Sequence, residues 1–247
     1  MNAPLIKVEN LTIGWEGKPL QVDANFEIER GDIFVMLGSS GCGKSTLMRH
    51  LVGLDKPLKG KVTIAGVDLT EVESGRPKFG VMFQSGALLN SMTVWENVAL
   101  PLQSWTDLPL GAVDAIVQAK LRLVGLQGTA NKMPAELSGG MKKRAAIARA
   151  MALEPELIFL DEPSAGLDPV TAAELDDLIL TLNQHLGLTL VVVTHDLDSI
   201  FKIGKHCIML DKDSKSIIAQ GDPRELRDKS DDPRVHSFFH REAMEAR

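Results

Sequence analysis

Apolar residues rich in Val, Ile, Leu and Phe gather into short runs at residues 33–37, 62–65, 79–83, 157–161, 189–194 and 207–210, with helix-period segments between them. Runs of four to six apolar residues alternating with helices predict an α/β fold with a buried, largely parallel sheet. Between residues 84 and 153 the strand signals stop. There Val113, Ile116, Val117, Leu121 and Val124 recur at helical spacing after a turn at Pro109-Leu110-Gly111, which predicts a helical insertion splitting the sheet in sequence. The last segment, residues 222–247, is rich in charge of both signs but carries Val235, Phe238 and Phe239 at i, i+3 and i+4. Such a face either packs on its own domain or meets another subunit.

A chain of 247 residues is long enough to bury a core without covalent staples. Cys42 and Cys207 are its only cysteines and form no CxxC pair, so a zinc module and a disulfide scaffold are both excluded and a reducing compartment is expected. The first ten residues carry Lys7 and Glu9 and lack the apolar stretch of a signal peptide. No apolar run approaches the roughly 18 to 20 residues that cross a bilayer. With 27 basic and 33 acidic side chains the net charge is −6, and no global positive field draws the chain to nucleic acid or acidic lipid. A membrane role has to come through a protein partner.

Gly38-Ser39-Ser40-Gly41-Cys42-Gly43-Lys44-Ser45-Thr46 fits G-x-x-x-x-G-K-[ST], preceded by the apolar run at 33–37 and followed by the helical pattern of Leu47, Met48 and Leu51. Glycines let backbone N–H groups close around phosphate oxygens, and a helix N-terminus behind them adds about half a positive charge. Lys44 is placed to reach the β- and γ-phosphates, and the Ser45 hydroxyl to ligate Mg²⁺. Nucleoside triphosphate binding follows. Cys42 inside this loop has two readings: a thiol activated by N–H groups and Lys44, or a small side chain at a tolerant position.

The apolar run at 157–161 ends in Asp161 and Glu162. Ligands in parallel α/β sheets collect at the carboxyl ends of strands, and successive strand side chains point opposite ways, so the two carboxylates divide the work. Asp161 is the candidate for Mg²⁺ contact through water. Glu162 is the candidate general base for the attacking water, an effect worth about 10² to 10⁴ in rate. His195, after the run at 189–194, has two readings: a structural strand-end histidine, or a side chain that hydrogen-bonds a γ-phosphate. The other five histidines have no comparable placement.

A second glycine motif, Leu137-Ser138-Gly139-Gly140-Met141, precedes a helix-prone stretch in which Ile147 and Met151 share a face. Two phosphate-binding helix tips in one chain are more than one triphosphate needs. With both motifs in place the sequence closely resembles the ATP-binding cassette family over nearly its whole length. The resemblance implies a P-loop α/β core with an N-terminal antiparallel β-region and an inserted α-helical subdomain. The corresponding division is residues 1–84 and 154–221 as core, 85–153 as the helical signature subdomain and 222–247 as a tail. It implies a homodimer in which the signature Ser138, Gly139 and Gly140 of one chain close over Mg-ATP held by the other. By similarity Trp15 stacks on adenine, and Gln84 in the lid loop links Mg²⁺ and water to the membrane subunits. Asp168, in Ser164-Ala165-Gly166-Leu167-Asp168, lies in the segment that crosses to the partner, and His195 is the switch histidine. Trp15 stands where tyrosine is commoner, which preserves a π-face; Met141 replaces the usual glutamine.

Met141 and Lys143-Arg144-Ala145-Ala146, with residues 83–89 and 94–102, most resemble the ATPases of MCE-associated, Mla-type phospholipid transporters of bacteria. That likeness implies an integral membrane permease, a periplasmic MCE-domain lipid-binding protein and small accessory subunits as partners, with the chain peripheral on the cytoplasmic face of the inner membrane. The competing readings are a cassette ATPase for another cargo and one with no transport function. Asn131-Lys132-Met133-Pro134 lacks the aspartate of a guanine-reading motif, and Lys142-Lys143-Arg144 reads as a solvated helix face rather than a nucleic-acid site.

Overall fold

The computed structural model describes residues 3–15, 17–69, 79–84 and 88–242. Ser85, Gly86 and Ala87 of the lid-loop segment, and residues 243–247 of the tail, lie outside the described residues. The chain divides into two units, one formed by Met1–Gly75 and Val191–Arg247 and the other by Arg76–Leu190.

The first unit opens with β1 (Ile6–Trp15) and β2 (Lys18–Ile28), paired antiparallel so that Val8 faces Phe26 and Ile6 faces Ile28. With β4 (Lys59–Ile64) and the two-residue β5 (Val67–Asp68) they make a sheet of order β2-β1-β4-β5. The run at 62–65 therefore belongs to an antiparallel sheet and not to the parallel one, because β4 runs against β1 with Val8 opposite Val62. β1 and β2 escape apolar-run detection because their inward residues alternate with polar outward ones, as Ala24, Phe26 and Ile28 do.

The parallel element of this unit is β3 (Ile33–Gly38), buried along its whole length and registered on β9 (His206–Asp211) from Phe34 opposite His206 to Gly38 opposite Leu210. β10 (Ser216–Gly221) returns antiparallel along β9. A strand with no exposed position has no polar phase, which is why it reads as a continuous apolar run. Helix α1 (Lys44–Leu51) follows β3 directly and buries Leu47, Met48 and Leu51.

The last helices of the described residues pack on their own unit. α6 (Leu197–Ile203), α7 (Pro223–Lys229) and α8 (Pro233–His240) place Val235 and Phe239 in a buried cluster with Val35, Leu37, Ile200, Cys207 and Met209. Phe201 tilts against Phe239 at 5.6 Å, and the Arg227 guanidinium lies 4.9 Å above the Phe201 ring. Each of α7 and α8 starts with an aspartate cap, Asp222 and Asp232, followed by proline. Phe239→Ala is expected to destabilise the chain by about 3 kcal/mol through lost transfer energy and a residual cavity. Phe238→Ala, at a half-buried position, is expected to cost less; urea unfolding midpoints of the two variants rank them.

The second unit holds β6 (Phe79–Met82) parallel to β7 (Leu157–Asp161), with Phe79 opposite Leu157 and Met82 opposite Leu160. Between them the chain forms α2 (Val94–Trp105), α3 (Leu110–Leu123), a 3-10 turn at Pro134–Glu136 and α4 (Gly139–Ala150). Thr93 and Glu96 form a reciprocal capping box at the start of α2, and Val113, Val117 and Leu121 are the buried stripe of α3. α5 (Pro169–Leu186) is capped by Asp168 and stopped by Gly187 at φ 65°. The division between units falls inside β8 (Thr189–Val193), all five residues of which are buried. Among the described residues no helix is long and apolar enough to cross a membrane.

Candidate nucleotide site

The phosphate cradle in the first unit is built by backbone that only glycine accepts. Gly38, the last residue of β3, has φ 138°, and a Cβ there would sit 2.4 Å from the Leu210 carbonyl oxygen and 2.6 Å from Cys42 Sγ. Gly43 has φ 107° and its missing Cβ leaves room for Leu20 on β2. Gly43 is also the N-cap of α1 and supplies no side-chain cap. A helix start whose N-cap is glycine presents backbone N–H groups and the positive end of the helix dipole, which suits an anion.

Lys44 is buried, and its ammonium donates to the carbonyls of Gly38 at 2.7 Å and Ser39 at 3.1 Å. The side chain is folded back over the loop it serves. Ser39, Ser40, Gly41 and Ser45 are exposed, while Thr46 is buried on the inner face of α1. Cys42 is fully buried, and burial raises its thiol pKa more than Lys44 beside it lowers it. Of the two readings of Cys42, the structure favours the packed side chain, because a thiol held protonated is a poor nucleophile. Trp15, at the end of β1, keeps its ring more than half exposed, and His195 is exposed between β8 and α6.

Gln21 supports the cradle and was not singled out from sequence. It is fully buried on β2, and its Nε2 donates to the Cys42 carbonyl at 2.8 Å and the Asp211 carbonyl at 2.9 Å. One amide thereby ties the loop to the end of β9. The available signal was a polar residue at an inward position of a strand.

In the second unit β7 delivers Asp161 and Glu162, both buried. Glu162 adopts φ 48°, the left-handed region that costs an L-residue about 1–2 kcal/mol. Its carbonyl accepts from the Ala165 N–H at 3.2 Å and from the Lys143 ammonium at 3.1 Å. Lys143 also donates to the Gln84 carbonyl at 2.6 Å, which brings the lid-loop glutamine and the acidic pair under one side chain. The solvated-face reading of Lys142-Lys143-Arg144 fails here: Lys143 is buried, and desolvation lowers its pKa despite the pull of Glu162 and Asp161. Arg144 is half-buried and donates to the Val124 carbonyl and to Glu174.

Ser138 is exposed and caps α4 through the Met141 N–H, and Gly139 and Gly140 form the first turn. A Cβ on Gly140 would meet Thr171 Cγ2 at 2.5 Å, and one on Gly139 would meet Leu167 at 3.2 Å. The helix tip is therefore packed on the segment that carries Asp168. That carboxylate accepts from the Val170 and Thr171 N–H groups and the Thr171 hydroxyl, and these bonds hold its pKa below the usual carboxylate range. Asp168 acts here as the N-cap of α5. Asn97, buried within α2, accepts from the Leu89 N–H and donates to the carbonyls of Leu89, Met92 and Thr93, fixing the chain that follows the lid loop.

The family model described as ABC transporter matches residues 22–165, more than half of the chain, including the cradle, both carboxylates and the signature turn. The chain belongs to the ABC transporter family. It is 39% identical over 97% of its length to the intermembrane phospholipid transport system ATP-binding protein MlaF of Haemophilus influenzae, covering 91% of that protein. It is also 39% identical over 95% of its length to a Mycobacterium leprae protein described as a probable ribonucleotide transport ATP-binding protein, mkl, covering 68% of it. A dimeric ATP-binding cassette solved in a post-hydrolysis state with ADP and Pi superposes with a TM-score of 0.78, at 30% identity over 88% of this chain and 98% of that one. The family assignment makes this an ATP-binding chain that hydrolyses ATP, with the α/β P-loop fold of an ABC ATPase.

Proposed function

We propose that this chain is the motor subunit of a bacterial phospholipid transporter, in which two copies clasp two Mg-ATP, close, hydrolyse and reopen. The observation that carries the cargo is the match to MlaF, which runs through 97% of this chain and 91% of that protein. The match to mkl at the same identity leaves about a third of that protein uncovered, and its name states a different cargo.

In this reading Lys44 and the N–H groups of the loop hold the phosphates, with Trp15 stacked on the base. The donor set fits a triphosphate: a helix start with a glycine N-cap, glycines at positive φ and an ammonium held by the neutral carbonyls of Gly38 and Ser39. The Ser45 hydroxyl, the Gln84 side chain and, through water, Asp161 are hard oxygen donors suited to Mg²⁺, which supplies charge neutralisation on the phosphates when bound. Glu162 takes the proton of the attacking water, and His195 holds the γ-phosphate. Ser138, Gly139 and Gly140 present a helix N-terminus to the nucleotide of the second copy, and Asp168 shapes the adjoining crossing segment. ATP that contacts both copies only when they are closed favours closure by its differential affinity.

A permease, a periplasmic MCE-domain protein and small accessory subunits complete the proposed assembly, with this chain on the cytoplasmic face of the inner membrane. Purification of the tagged chain from detergent-solubilised membranes tests it. A multi-span permease and an MCE-domain protein should co-elute, with phospholipid identified by mass spectrometry. Recovery of soluble partners alone rejects transport, and a permease complex that binds and moves ribonucleotide instead rejects the lipid cargo.

A further inference from the structure

We propose that Lys143 is a positioning residue that pins the main chain of Gln84 and of Glu162 to the signature helix, so that displacement of the helix tip is transmitted to the hydrolytic carboxylate. The inference rests on the roles proposed above for Gln84, Glu162 and Ser138–Gly140.

Lys143 occupies the second turn of α4, five residues after Ser138, and only 7% of it is exposed. Both circumstances oppose a lysine. Burial strips hydration from its ammonium, and the positive end of the helix dipole lies within about one turn. A methionine or leucine would fill the same volume without either cost. What Lys143 has instead is two charge-assisted hydrogen bonds that leave its own helix, to Gln84 at 2.6 Å and to Glu162 at 3.1 Å.

Both acceptors are main-chain carbonyls. The bonds therefore hold the path of the chain, and neither one occupies a side-chain atom of Gln84 or Glu162. At Glu162 that path is the strained one, φ 48° immediately after β7, where a relaxed backbone would aim the carboxylate elsewhere. At Gln84 it is the exit from β6 into the lid loop. The signature tip is fixed on its other side by Gly140 against Thr171, so a load on Ser138 is borne by a helix that is itself bolted to the hydrolytic residues. A shift of about 1 Å at a reacting group can cost about a hundredfold in rate, and one side chain with this reach is enough to gate turnover.

The test compares Lys143→Met, Lys143→Arg and Lys143→Gln with the wild type in the assembled complex and as the full chain. For Lys143→Met, kcat for ATP is expected to fall between about tenfold and about a hundredfold with KM and ATP affinity within about twofold. Lys143→Arg, which keeps charge and two donors, is expected to restore kcat to within about threefold. In the nucleotide-free chain, amide hydrogens of Gln84, Ser164 and Ala165 are expected to exchange faster in Lys143→Met than in wild type. If Lys143→Met does not fold, Lys143→Gln carries the same comparison. Unchanged kcat, a parallel loss of kcat and ATP affinity, or failure of arginine to rescue overturns the proposal. The underlying reading is tested apart from it: Glu162→Gln retaining wild-type turnover would remove Glu162 from its role, whereas a dead Glu162→Gln beside a fully active Lys143→Met would sink only the inference about Lys143.

Discussion

Glu162→Gln is expected to lower ATP turnover by about 10² to 10⁴ while ATP still binds and closed dimers accumulate. The substitution exchanges one carboxylate oxygen for an amide, so volume and χ angles are kept and the proton acceptor alone is lost. The main chain that aims the residue is unaffected: its carbonyl remains held by Lys143 and by the Ala165 N–H, and β7 behind it is buried along its length. Nothing in the cradle changes either, because Gly38–Thr46, Lys44 and Gln21 are built by other elements. Binding and chemistry therefore separate. Phosphate release measured alongside nucleotide binding and size-exclusion chromatography reads both, and ATP should shift the variant to the dimer because the closed state no longer decays by hydrolysis. Hydrolysis at the wild-type rate would remove Glu162 as general base.

Much of this site was legible before any coordinates, for a physical reason. The cradle and the signature turn are made of backbone, and backbone that must run at positive φ or pack without a Cβ announces itself as glycine; Gly38, Gly43 and Gly140 all meet that requirement. The strands β3, β7 and β8 are buried on every residue and show as unbroken apolar runs. β1, β2 and β10 are not, and went unread. The residues missed at the site share a different property. Gln21, Asn97 and Lys143 act by donating to main-chain carbonyls that are distant or irregular in sequence, and no spacing rule encodes those partners. Lys143 was still within reach: it stands four and eight residues before Ile147 and Met151, on the apolar face those two share, and its two basic neighbours disguised it as part of a solvated run.

Lys44→Met is expected to weaken ATP binding by about a hundredfold, with the fold retained. The loop satisfies the ammonium through the Gly38 and Ser39 carbonyls at 2.7 and 3.1 Å, so phosphate binding exchanges those bonds for contacts to anionic oxygens. The gain is the difference between a neutral and a charged acceptor, about 1.5 kcal/mol for each of two bonds, which together correspond to about two decades in Kd. Methionine keeps the buried stem and removes the charge, so the loop loses its ammonium without opening a cavity. Cys42→Ala is the matched control inside the same loop. Cys42 Sγ packs beside Gly38 in the interior, and Gln21 holds the Cys42 carbonyl whatever the side chain is, so ATP affinity should stay within about threefold while stability falls by about 1 kcal/mol for the small void. Isothermal titration with ATP on both variants decides between a loop that binds through its lysine and one that binds through its backbone alone: wild-type affinity in Lys44→Met would leave the N–H groups of α1 as the whole of the phosphate site.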